Sequence, residues 1–180
     1  QYETLVGMPI WEGYGMTECA PVITASLKSG RPKPGFVGRP LDGIEVELRD
    51  QDGDPVKDGD PGEIWVRGPN VFSGYWPDGS GGPDDDGWFG TGDVAFADED
   101  GDLRLVDRRK ELIIVSGFNV YPREVEDALL NLEGVIEAAV MGVTHPYTGE
   151  AVKAFVVTDP SSGITSEDVL TFARTRLARF

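Results

Sequence analysis

The fold is decided by the stretch from Thr91 to Glu126, which reads TGDVAFADEDGDLRLVDRRKELIIVSGFNVYPREVE. A Thr-Gly turn precedes the carboxylate of Asp93, and a basic cluster at 108–110 follows an apolar run. A Ser-Gly turn at 116–117 interrupts a second apolar run, and Pro122 then opens an acid-rich helix pattern. An Asp and an Arg suit the hydroxyls of a ribose, because a carboxylate accepts hydrogen bonds and a guanidinium donates them. The order of these features therefore predicts a nucleotide held by its ribose, next to a point where the chain can pivot.

The composition limits the classes of partner. Of the 180 residues, 39% are hydrophobic, which is enough for a buried core, and 32 acids against 16 bases give a formal charge of −16. Such a charge repels phosphate backbones and anionic membranes, so we predict no nucleic-acid partner. No apolar run approaches the ~20 residues of a membrane-spanning helix. Cys19 is the single cysteine. With no secretory signal at the start of the chain, this predicts a cytoplasmic location without disulfides.

The first part of the chain is predicted to be rich in strands and loops. Residues 1–40 contain many glycines and prolines and are expected to form mostly loops. Ile44–Arg49 alternates apolar and charged residues, which is typical of a half-buried strand, and Glu63–Arg67 is its expected partner across a turn. Leu103–Val106 and Leu112–Val115 are predicted strands on either side of the charged segment DRRKE.

From about residue 111 the predicted order is strand, helix, strand, strand, helix. Pro122 suits the first position of a helix, where its missing N–H is not needed. The helix that follows places four apolar residues on one face, Val125, Ala128, Leu129 and Leu132. Strands are predicted at Val135–Val143 and Ala151–Thr158, joined by a loop, and a last helix from Thr165 or Ser166 to Phe180. The predicted fold class is therefore α+β, with a β-rich domain at 1–109 and a small α+β domain at 110–180.

A second cluster, GYGMTE at 13–18, carries side chains suited to phosphate chemistry. Glycines around Tyr14 let another backbone or a flat ligand come close. The Thr17 hydroxyl can donate to a phosphate oxygen, and the Glu18 carboxylate can hold Mg²⁺. The alternative is that Thr17 and Glu18 only cap a following helix. In the same way, Asp93 could bond its own backbone, and Arg108 could be a solvated residue at a strand end.

Other polar segments carry weaker signals. The loop at 77–87 is rich in glycine but lacks the Gly-Lys-Ser/Thr ending of a phosphate loop, and its aspartates would repel phosphate. Calcium binding by three adjacent residues, Asp84, Asp85 and Asp86, is an alternative to a solvated acidic loop. His145, the single histidine, precedes a proline and has no nearby serine or cysteine motif to activate, so it is expected to be a surface residue.

The clusters taken together, in their order, resemble a known family. GYGMTE (13–18), GEIWVRGPNVFSGYW (62–76), GWFGTGD (87–93) and DRRKELIIVSGFNVYPREVE (107–126) look like successive motifs of the adenylate-forming enzymes, and within them of the acyl- and aryl-CoA synthetases. The resemblance implies that a carboxylate attacks the α-phosphate of ATP to give an acyl-adenylate and pyrophosphate. It further implies that the thiol of coenzyme A then displaces AMP to give a thioester.

The same resemblance implies a role for each matching residue. Tyr14 would stack on adenine, Thr17 would contact the α-phosphate, and Glu18 would hold Mg²⁺. Asp93 and Arg108 would bind the ribose. Lys110 matches the family's hinge, about which the small domain rotates between the two half-reactions. Ser116 and Gly117 would then face the pantetheine arm of coenzyme A.

Parts of the family's pattern are absent from the 180 residues. The Ser/Thr/Gly-rich phosphate loop would lie upstream of residue 1, and a lysine that supports adenylation would follow Phe180. We therefore expect a C-terminal fragment that cannot make an adenylate by itself. Three functions stay open: a synthetase for a fatty or related lipophilic acid, a ligase that loads a carrier protein, and a nucleotide-binding module without catalysis. The oligomeric state is unknown.

Overall fold

The structure is a computed structural model, and it describes residues 5–178. Residues 1–4 and 179–180, which include the first part of the predicted loop region and the end of the last predicted helix, lie outside the described residues. The chain divides into two compact units, 1–106 and 107–180. The first is built of strands and short turns, and the second of strands with α-helices, so the α+β class is confirmed. The domain boundary at 109/110 stays a prediction.

The first unit contains two antiparallel sheets. The smaller has the order β1–β2–β3, and its strands are Gly13–Tyr14, Thr24–Ala25 and Arg39–Pro40. The larger has the order β4–β5–β6–β7, and its strands are Glu45–Arg49, Gly62–Arg67, Phe89–Ala97 and Leu103–Arg108. An isolated bridge between Gly38 and Leu103 joins the two sheets. Their buried residues form one core around Ile23, Ile64 and Val66. Residues 1–40 were expected to be mostly loops, and β1 to β3 are short enough to agree with that expectation.

The predicted pairing of the first long strands is confirmed. β4 and β5 run antiparallel from Glu45 opposite Arg67 to Arg49 opposite Glu63. The alternation places Ile64 and Val66 in the core, while Arg67 of β5 lies opposite Glu45 of β4. Arg67 makes two hydrogen bonds to Glu45, at 3.0 and 2.7 Å. Cross-strand pairs of this kind fix the register of a hairpin.

One local prediction in this sheet is wrong. Thr91-Gly92 was predicted to be a turn before Asp93, but these residues lie inside the nine-residue strand β6. Glu63 pairs with Val94 and Trp65 with Gly90, so one residue of β5 between these pairs faces three of β6, and the extra residues bulge. A bulge re-aims the side chains of a strand without ending it. Glycine at 92 therefore marks an irregularity in the ladder, and not the end of the strand.

The second unit packs helices on a four-stranded sheet. The elements are β8 (Ile113–Val115), β9 (Phe118–Val120), α1 (Pro122–Leu130), β10 (Val135–His145), β11 (Gly149–Thr158) and α2 (Ser166–Arg176). The sheet order is β10–β11–β8–β9. β10 and β11 pair along almost their full length. Within the described residues, β11 and β8 share the single register pair Gly149–Val115. Val125 and Leu129 of α1 are buried in the core of this unit, as predicted.

Several element ends differ from their predicted positions. β10 ends at His145 and β11 begins at Gly149. The connection between them is therefore a turn at 146–148 and not the predicted loop at 144–150. The segment DRRKE was predicted to be a charged connection between two strands. Instead, Arg108 ends β7, and Arg109–Glu111 form a 3-10 turn. Helix α2 was predicted to reach Phe180 but ends at Arg176, because Leu177 adopts extended angles. Among residues 5–178, no helix combines the length and the apolar character needed to cross a bilayer.

Candidate functional site

Tyr14 and Asp93, both predicted nucleotide contacts, meet in the first unit. The Tyr14 hydroxyl donates to Oδ2 of Asp93 at 2.6 Å. Burial raises the pKa of Tyr14 well above its usual value, and the hydrogen bond to Asp93 adds to the rise. The phenol therefore stays protonated at neutral pH and holds the carboxylate in one orientation. The side chain of Tyr14 is 8% exposed, so its predicted stacking on adenine would use a small exposed part of the ring.

Three hydrogen bonds hold the bulge in β6. The backbone N–H of Gly92 donates to Oε1 of Glu63 at 3.0 Å, and the Thr91 hydroxyl donates to the carbonyl of Ile64 at 2.9 Å. The N–H of Asp93 donates to Oγ1 of Thr91 at 3.2 Å. Glu63 is buried, so its bond to Gly92 is shielded from water. The Thr91 side chain thus fixes the backbone at Asp93, while Tyr14 holds the Asp93 carboxylate.

The glycines of GYGMTE are explained in part by packing. A Cβ on Gly15 would lie 1.8 Å from the carbonyl oxygen of Pro21. Another stretch of backbone therefore runs against this position, which is one of the two explanations that the sequence left open. The close approach holds β1 against the segment that leads into β2.

Thr17 and Glu18 lie in a 3-10 turn, Thr17–Cys19, and they do not cap a following helix. The turn is anchored from the segment after β5. Asn70 donates from Nδ2 to the carbonyl of Cys19 at 2.8 Å, and the N–H of Phe72 donates to the carbonyl of Glu18 at 2.8 Å. The Thr17 side chain is exposed, and that of Glu18 is half-buried. The turn therefore presents a hydroxyl and a carboxylate on a rigid backbone.

Glu18 has a partner that the sequence analysis missed. The Tyr75 hydroxyl donates to Oε1 of Glu18 at 2.5 Å. This hydrogen bond lowers the pKa of Glu18, whose carboxylate is charged at neutral pH and is of the type that binds hard cations such as Mg²⁺. Tyr75 belongs to the motif quoted at 62–76, and its position in that motif is the signal that could have marked it.

The remaining predicted residues lie in the second unit. Arg108 is exposed at the end of β7, and Lys110 is exposed in the 3-10 turn that follows. Ser116 and Gly117 form the turn of the β8–β9 hairpin, with φ angles of 52° and 85°. Two positive φ angles are typical of a two-residue hairpin turn, so the glycine at 117 is required by the backbone itself. That Arg108 joins Asp93 at one ribose stays a prediction.

Asp84, Asp85 and Asp86 do not converge on a cation. Oδ1 of Asp84 accepts from the backbone N–H groups of Asp86 and Trp88, so it stabilises its own loop. Within the described residues, a different group of carboxylates comes close enough to surround an ion: Asp98, Asp100 and Asp102. The ammonium of Lys33 contacts all three at 2.6 to 2.8 Å. Lys33, which lies outside this loop in the chain, thus supplies a positive charge between the three carboxylates.

The remaining side chains with reactive groups are those of His145 and Cys19. The Nδ1 atom of His145 lies 2.7 Å from the Thr148 hydroxyl, beside the turn between β10 and β11. Cys19 is fully buried, and burial raises the pKa of its thiol to about 11. A thiol with this pKa is protonated at neutral pH and unreactive.

Comparisons with known proteins assign the chain to a family. A family model described as AMP-binding enzyme matches residues 1–76, and one described as AMP-binding enzyme C-terminal domain matches residues 124–180. The chain belongs to the AMP-binding enzyme family.

Individual relatives match along nearly the whole chain. A long-chain-fatty-acid–CoA ligase of Yersinia pestis is 48% identical over 182 residues, which cover all of this chain and 32% of the relative. A feruloyl-CoA synthase of Amycolatopsis is 44% identical, with 97% of this chain and 36% of the relative covered. The crystal structure of ATP-bound MatB from Rhodopseudomonas palustris aligns with a TM-score of 0.89 at 40% identity, over 99% of this chain and 36% of that one. The chain thus spans about a third of the length of these relatives.

Proposed function

We propose that the full-length protein is an acyl-CoA synthetase that acts on a long-chain fatty acid. In the first step a carboxylate oxygen of the acid bonds to the α-phosphorus of ATP, and pyrophosphate leaves. In the second step the thiol sulfur of coenzyme A bonds to the acyl carbon, AMP leaves, and the thiol proton is lost. The observation that carries the proposal is the 48% identity to a long-chain-fatty-acid–CoA ligase over the entire chain.

The proposed nucleotide contacts come from the first unit and from Arg108 of the second. Asp93, held by Tyr14 at 2.6 Å, would accept hydrogen bonds from the ribose hydroxyls, and Arg108 would donate to the same sugar. The Thr17 hydroxyl would donate to the α-phosphate. An ATP-bound structure among the close structural relatives supports a nucleotide here.

Glu18 fits the requirements of a magnesium ligand. Its carboxylate is charged at neutral pH, with its pKa lowered further by Tyr75, and it is carried on a turn anchored by backbone hydrogen bonds. Mg²⁺ binds one or two carboxylates together with phosphate oxygens, which neutralises charge on the leaving pyrophosphate. Glu18 would thus hold the ion between the protein and the phosphates.

The second unit would take part in the thioester step. Lys110 lies in a charged 3-10 turn, and a short turn of this kind can absorb the change in backbone angles that a hinge requires. After rotation, the Ser116–Gly117 turn would approach the nucleotide site and leave room for the pantetheine arm. A Cβ on Gly117 would meet nothing within 4 Å in the described structure, which supports an open turn.

Three alternatives stay open. A carrier protein presents the same pantetheine thiol as coenzyme A, so the same residues would serve a ligase that loads a carrier. The feruloyl-CoA synthase relative, at 44% identity, supports an aryl acid in place of a fatty acid. A module that binds nucleotide without turnover is the third function. The cytoplasmic location stays a prediction.

The test uses the full-length protein and the 180-residue chain side by side. Pyrophosphate release and thioester formation are measured with palmitate and ferulate as acids, in the presence of ATP, Mg²⁺ and coenzyme A. We expect turnover of palmitate by the full-length protein and no pyrophosphate release by the 180 residues alone. A preference for ferulate would indicate an aryl acid, and not a fatty acid, as the substrate. AMP binding without any pyrophosphate release would support the non-catalytic module.

A further inference from the structure

Asp107 makes two hydrogen bonds that reach across the predicted pivot. Oδ1 accepts from the backbone N–H of Arg108 at 2.8 Å, and Oδ2 accepts from the backbone N–H of Arg123 at 3.0 Å. Lys110, the predicted pivot, lies between Asp107 and Arg123 in the chain. One carboxylate therefore ties the residue that enters the pivot to the first turn of helix α1.

Helix α1 depends on this carboxylate for its cap. Its own N-cap residue, Tyr121, makes no side-chain hydrogen bond to the first turn, and Pro122 has no N–H. The first free N–H of the helix is that of Arg123, and Asp107 accepts from it. A carboxylate at a helix N-terminus is stabilised both by the hydrogen bond and by the helix dipole. The cap comes from a residue 16 positions earlier in the chain.

The surroundings of the pivot leave space beside this bond. A polar cavity of about 400 Å³ is lined by Asp107, Lys110, Arg123 and further residues of the second unit. Two carboxylates in its lining are held by backbone groups: Glu126 accepts from Val140 and Glu150 accepts from Ile114. The Asp107–Arg123 bond differs from these two, because Lys110 separates its partners along the chain. A change of backbone angles at Lys110 would carry Arg123 away from Asp107, and a hydrogen bond does not survive a separation beyond about 3.5 Å.

We propose that Asp107 is a positioning residue. Its hydrogen bond to the Arg123 N–H, here called the latch, holds the pivot in the described arrangement and so sets the balance between the two half-reactions. The proposal rests on the proposed function, in which rotation about Lys110 separates adenylate formation from thioester formation. The latch stabilises one arrangement and opens in the other. Its removal therefore favours the half-reaction that needs the open latch and disfavours the other.

The experiment compares Asp107→Ala, Asp107→Asn and Asp127→Ala in the full-length protein. Asp127 is an exposed carboxylate of the same helix and serves as the matched control. Single-turnover adenylate formation and thioester formation from preformed acyl-adenylate are measured separately. We expect Asp107→Ala to change the ratio of the two rates about five-fold, the effect of one lost cap. Asp107→Asn keeps an acceptor oxygen and should restore part of the ratio, and Asp127→Ala should leave it unchanged.

A second readout follows the bond itself. Hydrogen exchange of the Arg123 amide should become faster in Asp107→Ala and stay slow in Asp127→Ala. Equal losses in both half-reactions, or an unchanged ratio, would overturn the latch while leaving the proposed function in place. A wild-type protein that forms neither adenylate nor thioester would instead overturn the proposed function, and with it the role of Asp107 in catalysis. Unchanged exchange at Arg123 would contradict the cap directly.

Discussion

Tyr14 and Asp93 are 79 positions apart in the chain, yet one hydroxyl and one carboxylate oxygen lie 2.6 Å apart. At the scale of single residues, predicted ligand-binding side chains are held by hydrogen bonds from other residues of the protein. Tyr14 holds Asp93, Tyr75 holds Glu18, and Asn70 anchors the turn that carries Glu18. A hydrogen bond to a charged group is stronger than one between neutral groups, so each support fixes a charged oxygen in place.

Removal of the Tyr14 hydroxyl tests the support of Asp93. In the full-length protein, Tyr14→Phe should weaken AMP binding about ten-fold, because a hydrogen bond to a charged group contributes about 1.5 kcal/mol. Isothermal titration calorimetry with AMP measures the change. Tyr147→Phe is the control, since that side chain is 91% exposed. Equal AMP affinity in wild type and Tyr14→Phe would show that Asp93 needs no support.

Removal of the Tyr75 hydroxyl tests the charge on Glu18. The bond from Tyr75 depresses the pKa of Glu18, so the carboxylate keeps its charge as the pH falls toward its lowered pKa. In Tyr75→Phe the pKa rises, and the carboxylate is protonated at a higher pH. The acid limb of Mg²⁺-dependent adenylate formation should therefore move to higher pH. Superimposable pH profiles for the variant and the wild type would refute this role for Tyr75.

At the scale of elements, sequence patterns predicted the strands and helices better than their ends. The alternation at Ile44–Arg49 and the apolar face of α1 are local signals, and both elements are present. The bulge in β6 depends on a register set by β5, and the Tyr14–Asp93 contact depends on how distant strands pack. Those two features are tertiary, so the residues around Thr91 predicted a turn that the sheet does not contain. Tyr75 was missed because its partner lies 57 positions away.

The start of α2 offers a test of a local signal. Thr165 and Asp168 form a capping box, in which each side chain bonds the backbone of the other residue. Thr165→Ala should lower the free energy of unfolding by about 1 kcal/mol, since it removes the N-cap oxygen. Urea denaturation followed by circular dichroism measures the loss. Thr171→Ala, on an exposed position in the middle of the same helix, should have little effect or a small stabilising one.

The loop between β6 and β7 should respond to pH through Lys33. Burial opposes the charge on Asp102, yet the hydrogen bonds from Lys33 and Ser29 outweigh it and leave the pKa of Asp102 below its usual value. The pKa of Asp98 is likewise lowered by its bond from Lys33. This stabilisation is present at neutral pH and is lost as the pH falls through the lowered pKa values.

Lys33→Met should therefore unfold at a lower urea concentration than wild type at pH 7. The difference should shrink on acidification, because protonated aspartates no longer need the ammonium. Urea midpoints at several pH values between about 3 and 7 measure the difference. Glu99→Ala, an exposed position of the same loop, is the control. A constant difference at all pH values would mean that Lys33 stabilises the loop by packing and not by charge.

At the scale of the whole molecule, the chain contains two units for which we propose different roles. The first unit, residues 1–106, carries the carboxylates proposed to bind ribose and magnesium on strands and turns fixed by hydrogen bonds. The second, residues 107–180, begins with the carboxylate that caps its first helix. The chain has twice as many acids as bases, so the proposed contact of Arg108 with a nucleotide depends on local and not on overall positive charge.

The edge of β11 has a consequence for handling the second unit. Within the described residues, this strand pairs with β8 at Gly149 alone, while Phe155 and Val157 are both 52% exposed. An apolar strand that is little covered by register pairs on one side is a template on which further copies can stack, as in aggregation. Residues 107–180 expressed by themselves should therefore precipitate or form large particles as concentration rises. Light scattering would detect them, and Val157→Lys, a gatekeeper charge, should keep the solution clear.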